Sequence, residues 1–287
     1  MDPIFVRSGY RYRSYTDFWR LVELSGFKVA EKSEVDLNQD VLYIWPEMGG
    51  EFMMCLQGHP KSARRARTVF WNLERPDARA SESMDAAAWW RTGLDEVFDL
   101  VDAVWVSDKN ILAMDPRSTF VCLGGHPGLQ ESASGAGQVY DVAHLGQRTP
   151  RREAVIQELE RRGFSVSPNT WGPERARILS TSKLMLGIER LGGAHISMPL
   201  RWAVAAAYRL PIVQEEHPAP DPLVAGESVL MAPIDGLADL VEAALKMDLE
   251  PVGLAAWKAF CEEHTFRGQV EEAVHLGMFA EDKSGIR

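Results

Sequence analysis

The chain repeats one pattern: a short unbroken apolar run, a stop, then residues at helical spacing. Val41-Leu-Tyr-Ile-Trp45 is stopped by Pro46 and Gly49-Gly50. Pro3-Ile-Phe-Val-Arg7, Thr68-Val-Phe-Trp-Asn-Leu73, Ala103-Val-Trp-Val-Ser107 and Thr119-Phe-Val-Cys-Leu123 repeat it. A strand with one wet face alternates polar and apolar residues. A continuous apolar run has both faces covered, which is the signature of a parallel strand between helices. The chain therefore reads as α/β, with helices layered on parallel sheets. Phe18, Leu21 and Val22 give the first helix its apolar face, with Thr16 placed to cap it.

After Leu123 the composition changes. Gly124-Gly-His-Pro-Gly128 and Ser132-Ala-Ser-Gly-Ala-Gly137 read as a flexible connection between two domains. The second half starts near Val139. Its first helix carries Val155, Ile156 and Leu159; a later one carries Leu237, Leu240, Val241, Ala244 and Leu245, with Asp235 expected as its cap. Leu184–Ile188 and Leu210–Gln214 are expected strands. Residues 257–276 read as helical, and 281–287 as a fraying end. The expected division is 1–130, a linker at 131–138, a second domain at 139–265 and a helical tail at 266–287.

Composition narrows the partners. The 287 residues are 46% hydrophobic and 25% charged, as in an ordinary globular protein. A formal net charge of −10 disfavours indiscriminate nucleic-acid binding but leaves room for a local basic groove. Cys55, Cys122 and Cys261 are odd in number and far apart, which suits a reducing compartment and speaks against a cysteine zinc site. The early charges give no signal-peptide pattern, and no apolar run approaches ~18 residues. A cytoplasmic location without membrane contact is expected. There is no Asp-x-Asp triplet, His-Glu-x-x-His or Walker Gly-Lys-Ser/Thr, so no tightly bound metal is expected, and the first half lacks Gly-x-Gly-x-x-Gly.

The segment from Tyr140 to Met231 speaks to function. A short strand, Tyr140-Asp-Val-Ala-His-Leu-Gly146, runs into the basic loop Gln147-Arg-Thr-Pro-Arg-Arg152 and a helix. In open α/β sheets ligands lie beyond the carboxyl ends of the strands, and a helix start there presents unpaired N–H groups to phosphate. Arg148, Arg151 and Arg152 add cations that pair with phosphate oxygens. The bland alternative is a solvated basic helix start. Pro199-Leu-Arg-Trp-Ala-Val-Ala-Ala-Ala-Tyr-Arg-Leu-Pro-Ile-Val-Gln-Glu215 follows, then Val224-Ala-Gly-Glu-Ser-Val-Leu-Met231.

In this order the segments resemble the nucleotide-sugar-binding domain of two-domain GT-B glycosyltransferases. The nearest likeness is to the CgeB-like group, whose C-terminal part is called a glycosyl transferases group 1 domain. The family motif runs Arg, two residues, Glu, an apolar helix, Gly, one residue, Pro and a strand. Arg201 and Pro211 fall in register, whereas Val204 stands where the family has Glu and Arg209 where it has Gly. The resemblance implies two Rossmann-like domains facing each other across a cleft, and transfer of a sugar from a UDP-type donor without a cofactor or metal. It implies that Gly146, Arg148, Arg152, Ser197 and Arg201 hold the donor. The family Glu binds the ribose hydroxyls, which Val204 cannot do; Gln214, Glu215 or Glu216 would then supply that contact. Gly226 is expected to make a turn, and Glu227 and His264 to be structural.

The acceptor side is less defined. Glu74 and Asp77, in Trp71-Asn-Leu-Glu-Arg-Pro-Asp77, and Glu47, after Trp45-Pro46, are candidate bases for the acceptor hydroxyl; each also suits a cap or surface charge. His126 is a further candidate near the acceptor. Tyr10, Arg11 and Arg13 mix stacking rings with cations, and Lys61-Ser-Ala-Arg-Arg-Ala-Arg67 is expected on a helix. A DNA acceptor carrying a hydroxymethylated base, flipped into the site, would use such runs on its phosphates; sugar, protein or small-molecule acceptors would not need them. The rival readings are a nucleotide-sugar epimerase or hydrolase and a non-catalytic nucleotide-sugar-binding or assembly protein.

Overall fold

A computed structural model describes residues 2–7, 16–47, 51–73, 95–132, 139–189 and 199–279. The chain forms two compact units, one of 1–123 with 266–287 and one of 124–265.

The first unit is built on a six-stranded parallel sheet. Its strands are β1 (Ile4–Arg7), β2 (Lys28–Glu31), β3 (Leu42–Glu47), β4 (Arg67–Asn72), β5 (Ala103–Val106) and β6 (Thr119–Phe120), in the order β2-β1-β3-β4-β5-β6. Helices α1 (Thr16–Leu24), α2 (Glu51–Leu56) and α3 (Lys109–Met114) lie between them. The apolar runs are the central strands: Ile44, Trp45, Trp71 and Val106 are fully enclosed. The last expected strand shortens to Thr119–Phe120, although Val121 still donates its N–H to Val106 at 2.9 Å. The basic run 61–67 is not a helix. Lys61–Ala63 is one 3₁₀ turn and Arg67 opens β4, because Lys61 and Arg64 are drawn to the backbone carbonyls of Phe98 and Leu100, each at 2.5 Å.

The closing helix, Phe266–Phe279, belongs to this unit. Phe266 is fully buried and stacks on Trp71 at 5.7 Å with 16° between the planes. It also meets Phe5, Phe18 and Phe27 at 5.8, 5.8 and 6.0 Å. Arg267 donates to the Ser25 carbonyl at 3.1 Å.

The second unit carries a four-stranded parallel sheet in the order β10-β9-β8-β7. The strands are β7 (Val142–His144), β8 (Leu184–Gly187), β9 (Ile212–Glu215) and β10 (Leu230–Ala232). A bridge between Val142 and Val166 extends the sheet beyond β7. The helices are α4 (Pro150–Arg161), α5 (Pro173–Thr181), α6 (Pro199–Ala207), α7 (Leu237–Ala244) and α8 (Glu250–Lys258). Val155, Ile156, Leu159, Val241 and Ala244 join Val142, Leu184, Leu186 and Val213 of β7, β8 and β9 in one core, as their spacing implied. Asp235 does not cap α7. It sits in a 3₁₀ turn, Ile234–Gly236, that runs straight into the helix, so Gly236 takes the cap position without a side-chain bond. The expected helix 257–276 is interrupted: a π turn at Ala259–Glu263 follows α8, and the closing helix starts afresh at Phe266.

Helix α6 explains the alanine run. Ala203, Ala205, Ala206 and Ala207 are all buried, and their small size lets neighbouring backbone come close. The helix ends on Arg209, whose φ of +52° is the left-handed conformation of a helix stop. The Leu210 N–H bonds to Ala205 and the Arg209 N–H to Ala206, at 3.0 and 2.8 Å, the paired bonds of a Schellman ending. Glycine would hold this position without strain; arginine carries roughly 1–2 kcal/mol of it. The Arg209 guanidinium lies over the Trp257 ring at 4.7 Å, a contact glycine could not make.

Candidate functional site

The candidate site is the carboxyl edge of β7 with the starts of α4 and α6. Parallel strands put every strand-to-helix loop on this edge. β7 ends in His144, and the chain turns at Gly146 with φ +133°. A Cβ at Gly146 would stand 3.1 Å from Arg152 Nη1 and 3.4 Å from Arg201 Cζ. Two guanidinium groups thus press on a position where only glycine fits. The Gly146 N–H donates to Asn169 Oδ1 at 3.2 Å. Pro150 opens α4, and the preceding Thr149 makes no side-chain cap; its hydroxyl is enclosed without a hydrogen-bond partner.

His144 lies beneath this turn, 1% exposed. Its Nδ1 is 3.3 Å from the Leu186 carbonyl. A carbonyl only accepts, so Nδ1 carries the proton and Nε2 the lone pair. Nε2 is buried with no hydrogen-bond partner. Burial, and then the fields of Arg152, Arg201 and Arg148, push the imidazole down to about 4, against a small opposing effect of the Leu186 carbonyl. Two of these cations, Arg152 and Arg201, also flank the Gly146 turn.

The expected donor residues divide into groups. Arg152 and Arg201 lie against Gly146, and their fields, with a smaller one from Arg148, reach His144. Arg152 is 2% exposed and donates to the Ile188 and Gln147 carbonyls, both at 2.9 Å, so it braces the loops as well as charging them. Arg148 is more open and pairs with Glu153 at 3.3 Å and Glu160 at 3.6 Å. Arg151 departs from its expected role as a phosphate cation. It makes a two-pronged pair with Glu215, which also accepts the Glu189 N–H at 2.9 Å. This pair commits Glu215, so a ribose contact there would have to break it.

Gln214 is buried and directed across β8 rather than outward. Its Oε1 accepts the Trp202 indole N–H at 3.1 Å and overlies Gly187, where a Cβ would collide with it. Val204 is 3% exposed, one turn after Arg201 on the same side of α6, so the family Glu position is filled by core. Gly226, φ +81°, makes the expected turn before β10. His264 is tied into the backbone: its Nδ1 faces the Ala259 carbonyl at 3.1 Å and its own carbonyl accepts the Gly125 N–H at 3.0 Å.

His126 accepts the Gly128 N–H on Nδ1 at 3.0 Å and caps a 3₁₀ turn, Pro127–Leu129; partial burial lowers its affinity for a proton. Glu47 closes β3 in the first unit, its side chain outside the described residues. Glu74, Asp77, Ser197, Tyr10, Arg11 and Arg13 also lie outside them. Among the described residues no group of His, Cys, Asp or Glu is arranged to hold a metal, and no helix is long and apolar enough to cross a membrane.

His144 and Asn169 were not singled out from the sequence. His144 had a signal, being the one ionisable residue in the Val-Ala-His-Leu run. Asn169 had only its place after Pro168.

No known protein-family profile matches the chain. One relative, the uncharacterized protein L140 of Acanthamoeba polyphaga mimivirus, is 28% identical over 83 residues; the match spans 27% of this chain and only 26% of that protein. Among solved structures the chain is similar to Anabaena Alr3699/HepE in complex with UDP and glucose: TM-score 0.64, 10% identity, covering 96% of this chain and 99% of that one. It is similar to TarM, with TM-score 0.60 and 12% identity, over 91% of this chain but 57% of TarM. It is also similar to the DNA-modifying enzyme β-glucosyltransferase, with TM-score 0.52 and 11% identity, over 97% and 100% of the two chains. At these identities the likeness is one of fold, and the fold is GT-B: two Rossmann-like α/β units on parallel sheets.

Proposed function

We propose that the chain is a GT-B glycosyltransferase that binds the diphosphate of a UDP-type nucleotide sugar at the carboxyl edge of β7. The observation that carries this reading is the meeting of Arg152 and Arg201 at Gly146, beside the buried His144 and at the starts of α4 and α6, where the first turn past each opening proline offers backbone N–H groups. Glycosyl transfer leaves a diphosphate with growing negative charge as the glycosidic bond breaks. Cations and helix starts fixed in advance stabilise that charge without reorganising. The complexes of the fold neighbour with UDP and glucose support a UDP-type donor. Glu47, Glu74 and Asp77 remain the proposed bases for the acceptor hydroxyl. The buried Val204 favours a second reading, a nucleotide-sugar-binding protein without turnover.

Arg201 is the test. A charge-assisted hydrogen bond contributes about 1.5–3 kcal/mol, so Arg201→Ala should weaken UDP-glucose binding roughly tenfold to a hundredfold and leave the melting temperature within a few degrees. Calorimetry that finds unchanged affinity would remove Arg201 from the site. Sugar release or transfer, followed by product analysis, separates transferase from binding protein.

For the acceptor, we carry hydroxymethylated DNA as one arm, supported by the β-glucosyltransferase fold and by the Arg7–Arg13 run. Arg7 itself is engaged within its own unit, pairing with Glu23 at 2.6 Å and Glu31 at 3.6 Å. The work would fall to Arg11 and Arg13. A gel-shift series should then show salt-sensitive DNA binding that Arg11→Ala with Arg13→Ala weakens. Absence of binding at low salt would sink the DNA arm and leave Tyr10 and Tyr12 as a platform for a sugar acceptor.

A further inference from the structure

We infer that Trp171 is the platform on which the nucleobase of the donor stacks, a role resting on the donor-site reading above. Trp171 is 56% exposed, the only exposed tryptophan among the described residues. Burial normally draws tryptophan inward, and Trp45, Trp71, Trp105 and Trp202 obey. The Arg175 guanidinium lies over the Trp171 ring at 5.0 Å. Such a contact favours one orientation of the ring over others.

The loop that carries the ring is tied to the anion cradle. The Val166 bridge runs parallel to β7, so the loops after both strands leave from the same sheet edge. Ser167 Oγ accepts the His144 N–H at 3.0 Å, and Asn169 Oδ1 accepts the Gly146 N–H at 3.2 Å. Trp171 follows Asn169 by two residues, a span of at most about 7 Å. Gly172, φ +65°, then turns the chain into α5. A base held one ribose away from a diphosphate on Gly146 needs an aromatic face at about this remove. Every base has such a face, so stacking here accepts any base.

The experiment titrates the full chain with inorganic pyrophosphate, UDP, ADP, GDP and UDP-glucose, as wild type, Trp171→Phe and Trp171→Ala. Base–aromatic stacking predicts that Trp171→Ala weakens the nucleoside diphosphates roughly five- to 150-fold. Pyrophosphate affinity should hold, and Trp171→Phe should retain most nucleotide affinity. Equal losses for pyrophosphate and nucleotides would mean the ring only supports the loop, and would overturn the inference. So would nucleotide affinity that Trp171→Ala leaves untouched, or a loss confined to UDP-glucose, which would place the sugar on the ring. Wild-type chain that binds none of the probes would overturn the donor-site reading itself, and this inference with it.

Discussion

Replacing Phe266 with alanine should destabilise the first unit by about 3–5 kcal/mol, the usual cost of emptying a buried phenylalanine site. The ring is fully enclosed and touches Phe5, Phe18, Phe27 and Trp71, which come from β1, α1, the residue before β2, and β4. Truncation to alanine would leave a cavity among four aromatic rings that cannot close over it, because each belongs to a different element. Urea unfolding followed by tryptophan fluorescence reads the change, since Trp71 stacks directly on the lost ring. The two units need not unfold together, so the transition of the first unit, which carries Trp71, is the one to compare. A shift worth less than about 1 kcal/mol would show that the closing helix is not part of this core. The same geometry expects a chain cut after Thr265 to lose the first unit's cooperative transition, although the cut removes none of its strands.

The central sheet strands were legible because both faces of a parallel strand are apolar. Val41–Trp45 and Thr68–Leu73 announce themselves as such, and the structure gives β3 and β4 there. β2 was not legible: Lys28-Val-Ala-Glu31 is an edge strand with its ends exposed, so its pattern is that of a loop. The basic run 61–67 looked helical by composition, yet its cations answer to the carbonyls of Phe98 and Leu100, more than 30 residues away. No local pattern reports such a partner.

The site follows the same division. Gly146, Arg148 and Arg152 stand together in sequence on one strand-end-to-helix turn, whereas Arg201 was named from the resemblance alone and its place beside Gly146 is visible only in the fold. The Arg151–Glu215 pair joins α4 to β9, and only the folded sheet reveals that Arg151 is spoken for. Arg209 is an instructive case between the two. The resemblance asked for glycine there, and the positive φ shows the physical demand behind it. The chain meets that demand with an arginine stacked on Trp257, and no single-residue rule anticipates the exchange.

His144 makes the chain's stability depend on pH in a defined window. In the folded chain the imidazole titrates at about 4, below its ordinary 6.5. The unfolded chain therefore binds the proton more readily between these values. Stability conferred by the neutral ring is full above pH 6.5, falls as pH drops through the window, and levels off below about 4. The gap corresponds to about 3 kcal/mol. Its causes, in order, are burial beneath the Gly146 turn and the fields of Arg152, Arg201 and Arg148. His144→Gln can keep a donor for the Leu186 carbonyl while removing the titration. The difference in unfolding free energy between wild type and this variant should be constant above pH 6.5 and shift against the wild type by up to about 3 kcal/mol towards pH 4. A difference that stays level across the whole range would mean that the ring is solvated or already paired. Arginine fields also contribute to the depression, so an anion that neutralises them should weaken it. Saturation with UDP-glucose, whose diphosphate does not itself titrate in this window, should then make the wild type less acid-sensitive than the free chain, and an unaltered acid profile would place the diphosphate away from these arginines.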